Sequence, residues 1–376
     1  MSKKLYVGMD VHKESVVLAV LPEDAQEPTV ERRLANEKRK LRRFFERLRR
    51  EGEIRACYEA SGAGYVLQRA MKEWGLHCDV VAPSLIPTRP GDRRKHDRGD
   101  ARHLARQYRA GELVTIRIPT EAEERIRDLV RCRETLQREV LKSKHYVLKF
   151  VRRRGFVYRE GKNWTQKHFR WLRSLLVDGA LEGEDEVVLR EYLALLEYKL
   201  QRRDVMDMRI EETAANSRYR EAVNRLGAFR GISTHAAMVL VAELGDWRRF
   251  DRPGQLMAYV GLIPSEHSSG ESQRLGSITK AGNSHCRHVL VQAAWSYRHP
   301  PRVGTALKNR QANQSPEVVT HSWKAQHRLH TIFRRLQYRK NSQIAAVAVA
   351  RELVGFLWAV MQDLEIHGPS DLAEAA

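Results

Sequence analysis

The feature that most restricts the fold is the spacing of short apolar runs over the first 81 residues. Leu5-Tyr6-Val7-Gly8-Met9-Asp10 ends in a carboxylate, and Ser15 to Leu21 follows so soon that the two read as a hairpin. Thr29 to Leu34 reads as a third strand, and beyond it Leu41, Phe44, Phe45 and Leu48 recur at helical spacing in a strongly basic stretch. Ile54 to Glu59 is a further strand with a carboxylate at its far end. Tyr65 to Trp74 reads as a helix, and His77 to Val81 as a strand stopped by Ala82-Pro83.

Three antiparallel strands, then helix, strand, helix, strand and helix, is the order of a ribonuclease-H-like sheet. In it Asp10 and Glu59 fall at strand ends, where α/β folds gather ligand sites. The next helix opens inside Arg93-Arg94-Lys95-His96-Asp97-Arg98-Gly99-Asp100-Ala101, and the Asp97 and Asp100 spacing puts both carboxylates on one helix face. Oxygen ligands hold Mg²⁺ while surrounding cations hold phosphate, so Asp10, Glu59, Asp97 and Asp100 are candidate metal ligands. Arg89, Arg93, Arg94, Lys95, Arg98 and Arg102 are candidate nucleic-acid contacts. Alone, the Asp pair also reads as a capped, solvated helix start, and Asp10 and Glu59 as polar strand termini. Four carboxylates reaching one part of a fold independently weigh against that reading.

Charge points to the partner. With 67 Lys+Arg against 47 Asp+Glu, a net charge of +20 and a pI near 10, the chain suits an extended polyanion. Nucleic acid leads, and an anionic membrane surface is the competitor. No apolar run approaches the ~20 residues of a spanning helix and no signal segment opens the chain, so a soluble, cytoplasmic, nucleoid-associated protein without a membrane partner is expected. Cys57, Cys78, Cys132 and Cys286 lie far apart, which suggests neither a disulfide framework nor a zinc site.

At 376 residues several cores are expected, and the pattern divides the chain at 1–120, 121–216 and 217–376. From Glu121 to Phe150 and again from Glu184 to about Asn216, apolar residues recur at helical spacing, as in an antiparallel coiled-coil arm. Between them Trp164, Phe169, Trp171, Leu172 and Leu175 suggest a small helical insertion, whose aromatics either stack on unpaired bases or form a core. The last third is mostly helical. Leu226 to Ser233, with Gly227 and Gly231, precedes an apolar helix, Ala236 to Leu244, and such a turn can aim backbone N–H groups at a phosphate. Pro264 to Gly270 is a hydroxyl-rich loop, followed by Arg274, Thr279, Lys280, Gly282, Asn283 and Arg287. Hydroxyls with spaced cations suit phosphodiester chemistry, although Ser/Gly loops are commonly linkers.

The residues that carry a family resemblance are now in view. They are Gly8-Met9-Asp10-Val11-His12-Lys13, Tyr58-Glu59-Ala60-Ser61-Gly62, Asp97-Arg98-Gly99-Asp100-Ala101, Gly261-Leu262-Ile263-Pro264 running to Ser269-Gly270, and Ile278-Thr279-Lys280-Ala281-Gly282-Asn283 with Arg287. In this order and spacing, over nearly the full length, the chain resembles the DEDD transposases of the IS-one-ten and IS-eleven-eleven insertion sequences, the bridge-RNA-guided recombinases. The resemblance implies a RuvC-like domain whose Mg²⁺-binding carboxylates map onto Asp10, Glu59, Asp97 and Asp100. It also implies a coiled-coil arm and a transposase domain whose nucleophilic serine maps onto Ser269, immediately before Gly270. A structured RNA whose loops pair with donor and target DNA is implied as well, and a tetramer with composite sites. His96 and Gly99 stand where many members carry Thr and a bulkier residue, and Cys286 where Leu is common. The stretch from Arg152 to Gly183 has no clear counterpart in the shortest members.

On this reading the chain is a Mg²⁺-dependent transposase that cuts and exchanges DNA strands through a phosphoserine, with Arg274, Lys280 and Arg287 neutralising the phosphate. The alternative is a RuvC-like nuclease or junction resolvase in which the same carboxylates activate water. A third, non-catalytic reading is a nucleic-acid scaffold that acts through its charge alone.

Overall fold

Lys4–Val11 (β1), Ser15–Pro22 (β2) and Val30–Ala35 (β3) form an antiparallel meander. Lys38–Leu48 (α1) leads to Glu53–Glu59 (β4), and Val66–Glu73 (α2) leads to His77–Val81 (β5). β4 joins β1 in parallel and β5 joins β4 in parallel, which gives the order β3-β2-β1-β4-β5. The computed structural model describes residues 3–87, 97–266 and 275–364, and within 97–266 and 275–364 the side chains of Asp97, Arg98 and Leu275 lie outside the description. The mixed sheet lies in the first of two units, Met1–Pro119 and Thr120–Glu374.

Strand alternation sorts the core of the first unit onto the two faces of the sheet. Leu5, Val7, Met9, Ile54, Ala56 and Tyr58 point to one face, where Leu41, Phe45 and Leu48 of α1 and Leu67 and Met71 of α2 cover them. The other face is covered by a third helix, Asp97–Ala110 (α3), through Ala101 and Ala105 over β2 and Leu104 over Cys57 of β4.

α3 reaches β1 at Gly8. A Cβ on Gly8 would fall 2.2 Å from the Ala101 carbonyl oxygen and 2.4 Å from the Ala105 nitrogen, so the helix backbone rests directly on the strand. The alanines on α3 keep the helix side of this contact equally thin. Gly8→Ala is therefore expected to lower stability by about 1–3 kcal/mol, the usual cost of overpacking against a backbone that must move. Urea unfolding measures it, and an unchanged midpoint would show that α3 is not seated on Gly8.

The second unit is helical. Glu121–Arg153 (α4) begins with a capping box in which the Thr120 hydroxyl accepts from Glu123 N and the Glu123 carboxylate accepts from Thr120 N. Gln166–Val177 (α5) follows, then Glu184–Ala215 (α6). α4 and α6 run antiparallel, as their cross-pairs show: Arg133 with Asp207, Glu139 with Lys199, Tyr146 stacked on Tyr192, and Arg154 with Asp185. α5 is the expected small helical insertion, and Leu172 and Leu175 are buried against Val147, Phe150 and Leu189. Trp164, Phe169 and Trp171 pack on the same cluster, so these aromatics serve a core.

Arg220–Gly227 (α7), Thr234–Leu244 (α8), Pro253–Tyr259 (α9), Ser284–Ala294 (α10), Thr305–Gln311 (α11), Pro316–Gln337 (α12) and Ser342–Ala359 (α13) build the largest core. Where a plain loop was expected after Ile263, Pro264–Glu266 (β6) pairs with Leu275–Ile278 (β7) as a short hairpin. One expectation needs correcting. α13, at 18 residues, is long and apolar enough to cross a membrane by length and composition. Its Ala345, Ala346, Val349, Ala350, Leu353 and Leu357 are nevertheless fully buried in the unit's own core, which accounts for its composition.

A strand-end carboxylate pair and a braced, cation-bearing hairpin

β1 and β4 are in parallel register at Met9 and Tyr58, and the next residue on each strand is a carboxylate, Asp10 and Glu59. Met9 and Tyr58 face α1 and α2, so Asp10 and Glu59 sit on the α3 side of the sheet. Asp10 keeps 23% of its side chain exposed and shares a 3.0 Å hydrogen bond with Nε2 of His12. Glu59 is exposed and Asp100 half-buried.

α3 begins at Asp97, and Asp100 immediately precedes the Ala101 whose carbonyl meets Gly8, two residues before Asp10 on the strand. Glycine at position 8 thus sets the first turn of α3 against the carboxylate end of β1. Among the described residues no group of three or more His, Cys, Asp or Glu is close enough to hold a metal ion. The donors available at this end are carboxylate oxygens, the type that suits a hard cation such as Mg²⁺. Asp10 and Glu59, on neighbouring strands, and Asp100, in the first turn of α3, are the described carboxylates at this end, and they are not gathered into such a group.

Of the candidate cations here, Arg93, Arg94 and Lys95 lie outside the described residues, as does Arg89. Arg102 forks onto Glu31 of β3, with Nη2 donating at 2.8 Å, and this pairing raises its pKa. Gly99 has open space where a Cβ would project, so a bulkier residue fits there without strain.

In the second unit, the loop from β7 to α10 is locked onto the chain before β6. Thr279 N donates to the Ile263 carbonyl at 2.9 Å and Lys280 N to the Gly261 carbonyl at 3.2 Å. Two glycines make this possible: a Cβ on Gly261 would fall 2.0 Å from the Ala281 oxygen, and one on Gly282 2.0 Å from the Tyr259 oxygen, both at positive φ. Lys280 is itself left-handed, at φ 55°, and exposed. Arg287 donates through Nη1 to the carbonyls of Val260, at 2.8 Å, and Ala281, at 3.2 Å. Burial lowers its pKa, and this nitrogen braces the loop. Residues 267–274, which carry Ser269 and Arg274 between β6 and β7, lie outside the described residues.

Sequence reasoning missed the group that anchors this loop. Glu243, 1% exposed near the end of α8, accepts both Nε and Nη2 of Arg131, at 2.6 and 2.9 Å, and Nδ2 of Asn283 at 2.8 Å. The Asn283 oxygen in turn caps α10 by accepting from Cys286 N at 3.0 Å. Burial pushes the Glu243 carboxyl up, but Arg131 and Asn283 outweigh it and hold the group below the usual carboxylate range. The available signal was one acidic residue in an otherwise apolar helix, because a buried charge demands partners.

A cleft of about 1150 Å³ opens beside α10 and the start of α8, lined by Glu134, His235, His285 and His288 among others. Glu134 hydrogen-bonds His285, and that contact overcomes burial to keep its carboxyl below its ordinary value. Burial and the nearby Arg133 push His235 down to about 4, so it is neutral at neutral pH. His235 Nδ1 and Glu134 Oε1 are buried without a hydrogen-bond partner among the described residues, a demand that a polar group entering the cleft would meet. The α8 end of this cleft is the glycine-containing turn singled out in the sequence, with Ser233 capping α8 at Ala236 N.

With this geometry in place, comparison with known proteins assigns the chain. The model for the family described as "Transposase IS116/IS110/IS902 family" matches residues 223–307, and a DEDD-type transposase model of the IS110 kind matches residues 7–153. A putative transposase of Sinorhizobium fredii, y4qE, is 40% identical over 308 residues, 82% of this chain and 75% of that protein. The transposase for insertion sequence element IS1533 of Leptospira borgpetersenii is 32% identical over 348 residues, 90% of this chain and 99% of that protein. The transposase for insertion sequence element IS1111A of Coxiella burnetii is 24% identical over 312 residues, 82% of this chain and 78% of that protein. The chain belongs to the IS110 family of insertion-sequence transposases.

Proposed function

We propose that this transposase cuts and exchanges DNA strands through a covalent phosphoserine at Ser269, assisted by Mg²⁺ held by Asp10, Glu59, Asp97 and Asp100. The observation that carries the reading is the placement of Asp10 and Glu59 on adjacent strand ends, on the face where the first turn of α3 meets Gly8. Bound there, the ion supplies positive charge for the oxygens of the scissile phosphate. In the cleavage step the Ser269 hydroxyl gives up its proton and its oxygen bonds phosphorus. The bond to the leaving sugar oxygen breaks, and that oxygen takes up a proton. A hydroxyl from another strand reverses the exchange and regenerates the serine.

Three parts divide the work on this reading: residues 1–120 as the RuvC-like domain, 121–216 as the coiled-coil arm, and 217–376 as the transposase domain. Arg274, Lys280 and Arg287 lie near Ser269 in the sequence, and Arg93, Arg94, Lys95, Arg98 and Arg102 lie within a few residues of Asp97 and Asp100 in the sequence, and on this reading these cations neutralise phosphates. A structured bridge RNA selects donor and target, and the protein works as a tetramer in the cytoplasm, at the nucleoid.

The test uses full-length protein with its co-purified RNA and end-labelled DNA, resolved under denaturing conditions. A protein–DNA adduct is expected in Mg²⁺ and none in EDTA. Cleaved DNA with no adduct at any time point would instead establish the nuclease reading, in which water is the nucleophile.

A further inference from the structure

α1 carries a feature that the carboxylate site does not use. Leu41, Phe45 and Leu48 bury one side of it, and at about 100° per residue Arg39, Arg43 and Arg47 line the opposite side, with Arg50 following two residues past the end of the helix. All four are exposed, and none has an ion-pair partner among the described residues. By contrast Arg42 and Lys40, on the flanks, are neutralised by Glu46 and Glu37. From Arg39 to Arg47 the outward row therefore presents unneutralised guanidinium groups over about 12 Å, the length of eight helical steps.

The row starts at a cleft. A hollow of about 560 Å³ is lined by Val11, His12 and Lys13, which follow Asp10, by Gly62 and Ala63, which follow Glu59, and by Lys38 at the start of α1. Lys13 and Lys38 are exposed there and also lack ion-pair partners among the described residues. The hollow thus lies at the carboxylate end of the sheet, and the arginine row leads away from it over the face opposite α3.

We propose that the cleft and α1 form a backbone track for duplex DNA: the DNA flanking the cut bond leaves the carboxylate end past Lys13 and Lys38 and lies with its phosphates along Arg39, Arg43, Arg47 and Arg50. Guanidinium groups bind phosphate oxygens bidentately and release counterions when they do so. The row offers no exposed aromatic side chain, so it has nothing on which unpaired bases could stack. It also has no apolar surface for a bilayer, since the apolar side of α1 is in the core. A duplex gripped by its backbone is what remains, and DNA is the duplex that a transposase must hold.

The track rests on the reading of Asp10 and Glu59 as the place of cleavage, and the experiment separates the two. Full-length wild type, the triple variant Arg39→Ala/Arg43→Ala/Arg47→Ala and Asp10→Ala are titrated with a labelled DNA duplex and, separately, a labelled RNA duplex across a salt series. The three arginines point outward, so the melting temperature should not move. For the triple variant, DNA affinity at low salt is expected to fall about tenfold or more, and the slope of log affinity against log salt to become shallower by about 3, one per guanidinium lost. Asp10→Ala keeps α1 and should keep the wild-type slope, so a fault in the cleavage reading would appear only in its cleavage. A DNA affinity and slope unchanged in the triple variant would overturn the track, and so would a loss confined to the RNA duplex.

Discussion

Alanine at Asp10 or at Glu59 is expected to reduce DNA cleavage by about a thousandfold or more while leaving DNA affinity within a few-fold of wild type. Charge stabilisation by a metal ion is worth several kcal/mol at the transition state, and each 1.36 kcal/mol is about tenfold in rate. Affinity, in contrast, is dominated by phosphate contacts from a surface with a net charge of +20, and neither carboxylate makes such a contact. The two residues end neighbouring strands in register, so removing either leaves the sheet hydrogen bonds before it intact. Single-turnover cleavage and anisotropy on the same preparations give both numbers. A variant that cuts at the wild-type rate would remove Asp10 and Glu59 from the site, and an equal loss of binding would mean that they support the fold.

Ser269→Ala should eliminate the covalent adduct and all strand exchange, with RNA and DNA binding retained. A serine hydroxyl is a weak nucleophile at neutral pH, so it must be placed within about 3–3.5 Å of phosphorus beside a group that stabilises the alkoxide. Ser269 directly precedes Gly270, and a glycine neighbour lets the chain turn without a Cβ clash. Among nearby serines, Ser265 is already committed: its hydroxyl donates to the Ser277 carbonyl at 3.0 Å across the β6–β7 hairpin. Ser268→Ala and Ser272→Ala should keep the adduct. Peptide mapping of trapped adduct decides among them, and a phosphoserine at any position other than 269 would mean a different nucleophile.

Much of the first unit was legible because its strands are short, apolar and punctuated. The run from His77 to Val81 coincides with β5, and Ser15 to Leu21 with all but the last residue of β2. Periodicity likewise predicts α6 to within a residue, starting at Glu184. Less legible was anything that depends on two distant backbones meeting. Gly8 reads in sequence as one more residue of a strand, and only the Ala101 and Ala105 backbone beside it explains why no side chain is possible there. The same holds for Gly261 and Gly282, whose partners lie about twenty residues away in the chain. For Arg287 the sequence shows a guanidinium but not the Val260 and Ala281 carbonyls that engage its Nη1. The hairpin was missed because three or four residues of strand carry too little periodicity to stand out from a loop.

The 33 residues of α4 form one uninterrupted helix, about 50 Å of rise, fastened at its base where Arg127 donates to the Ala242 carbonyl at 2.7 Å and Arg131 grips Glu243. A rod clamped in that way measures distance. α5 is held at a separation from the α8–α10 core that is set by residue count, so lengthening the pair by one heptad in each helix would move α5 outward by about 10 Å without turning it far. Chains that differ in the length of this helix pair would then present α5 at different distances from the core, even if their chemistry were identical.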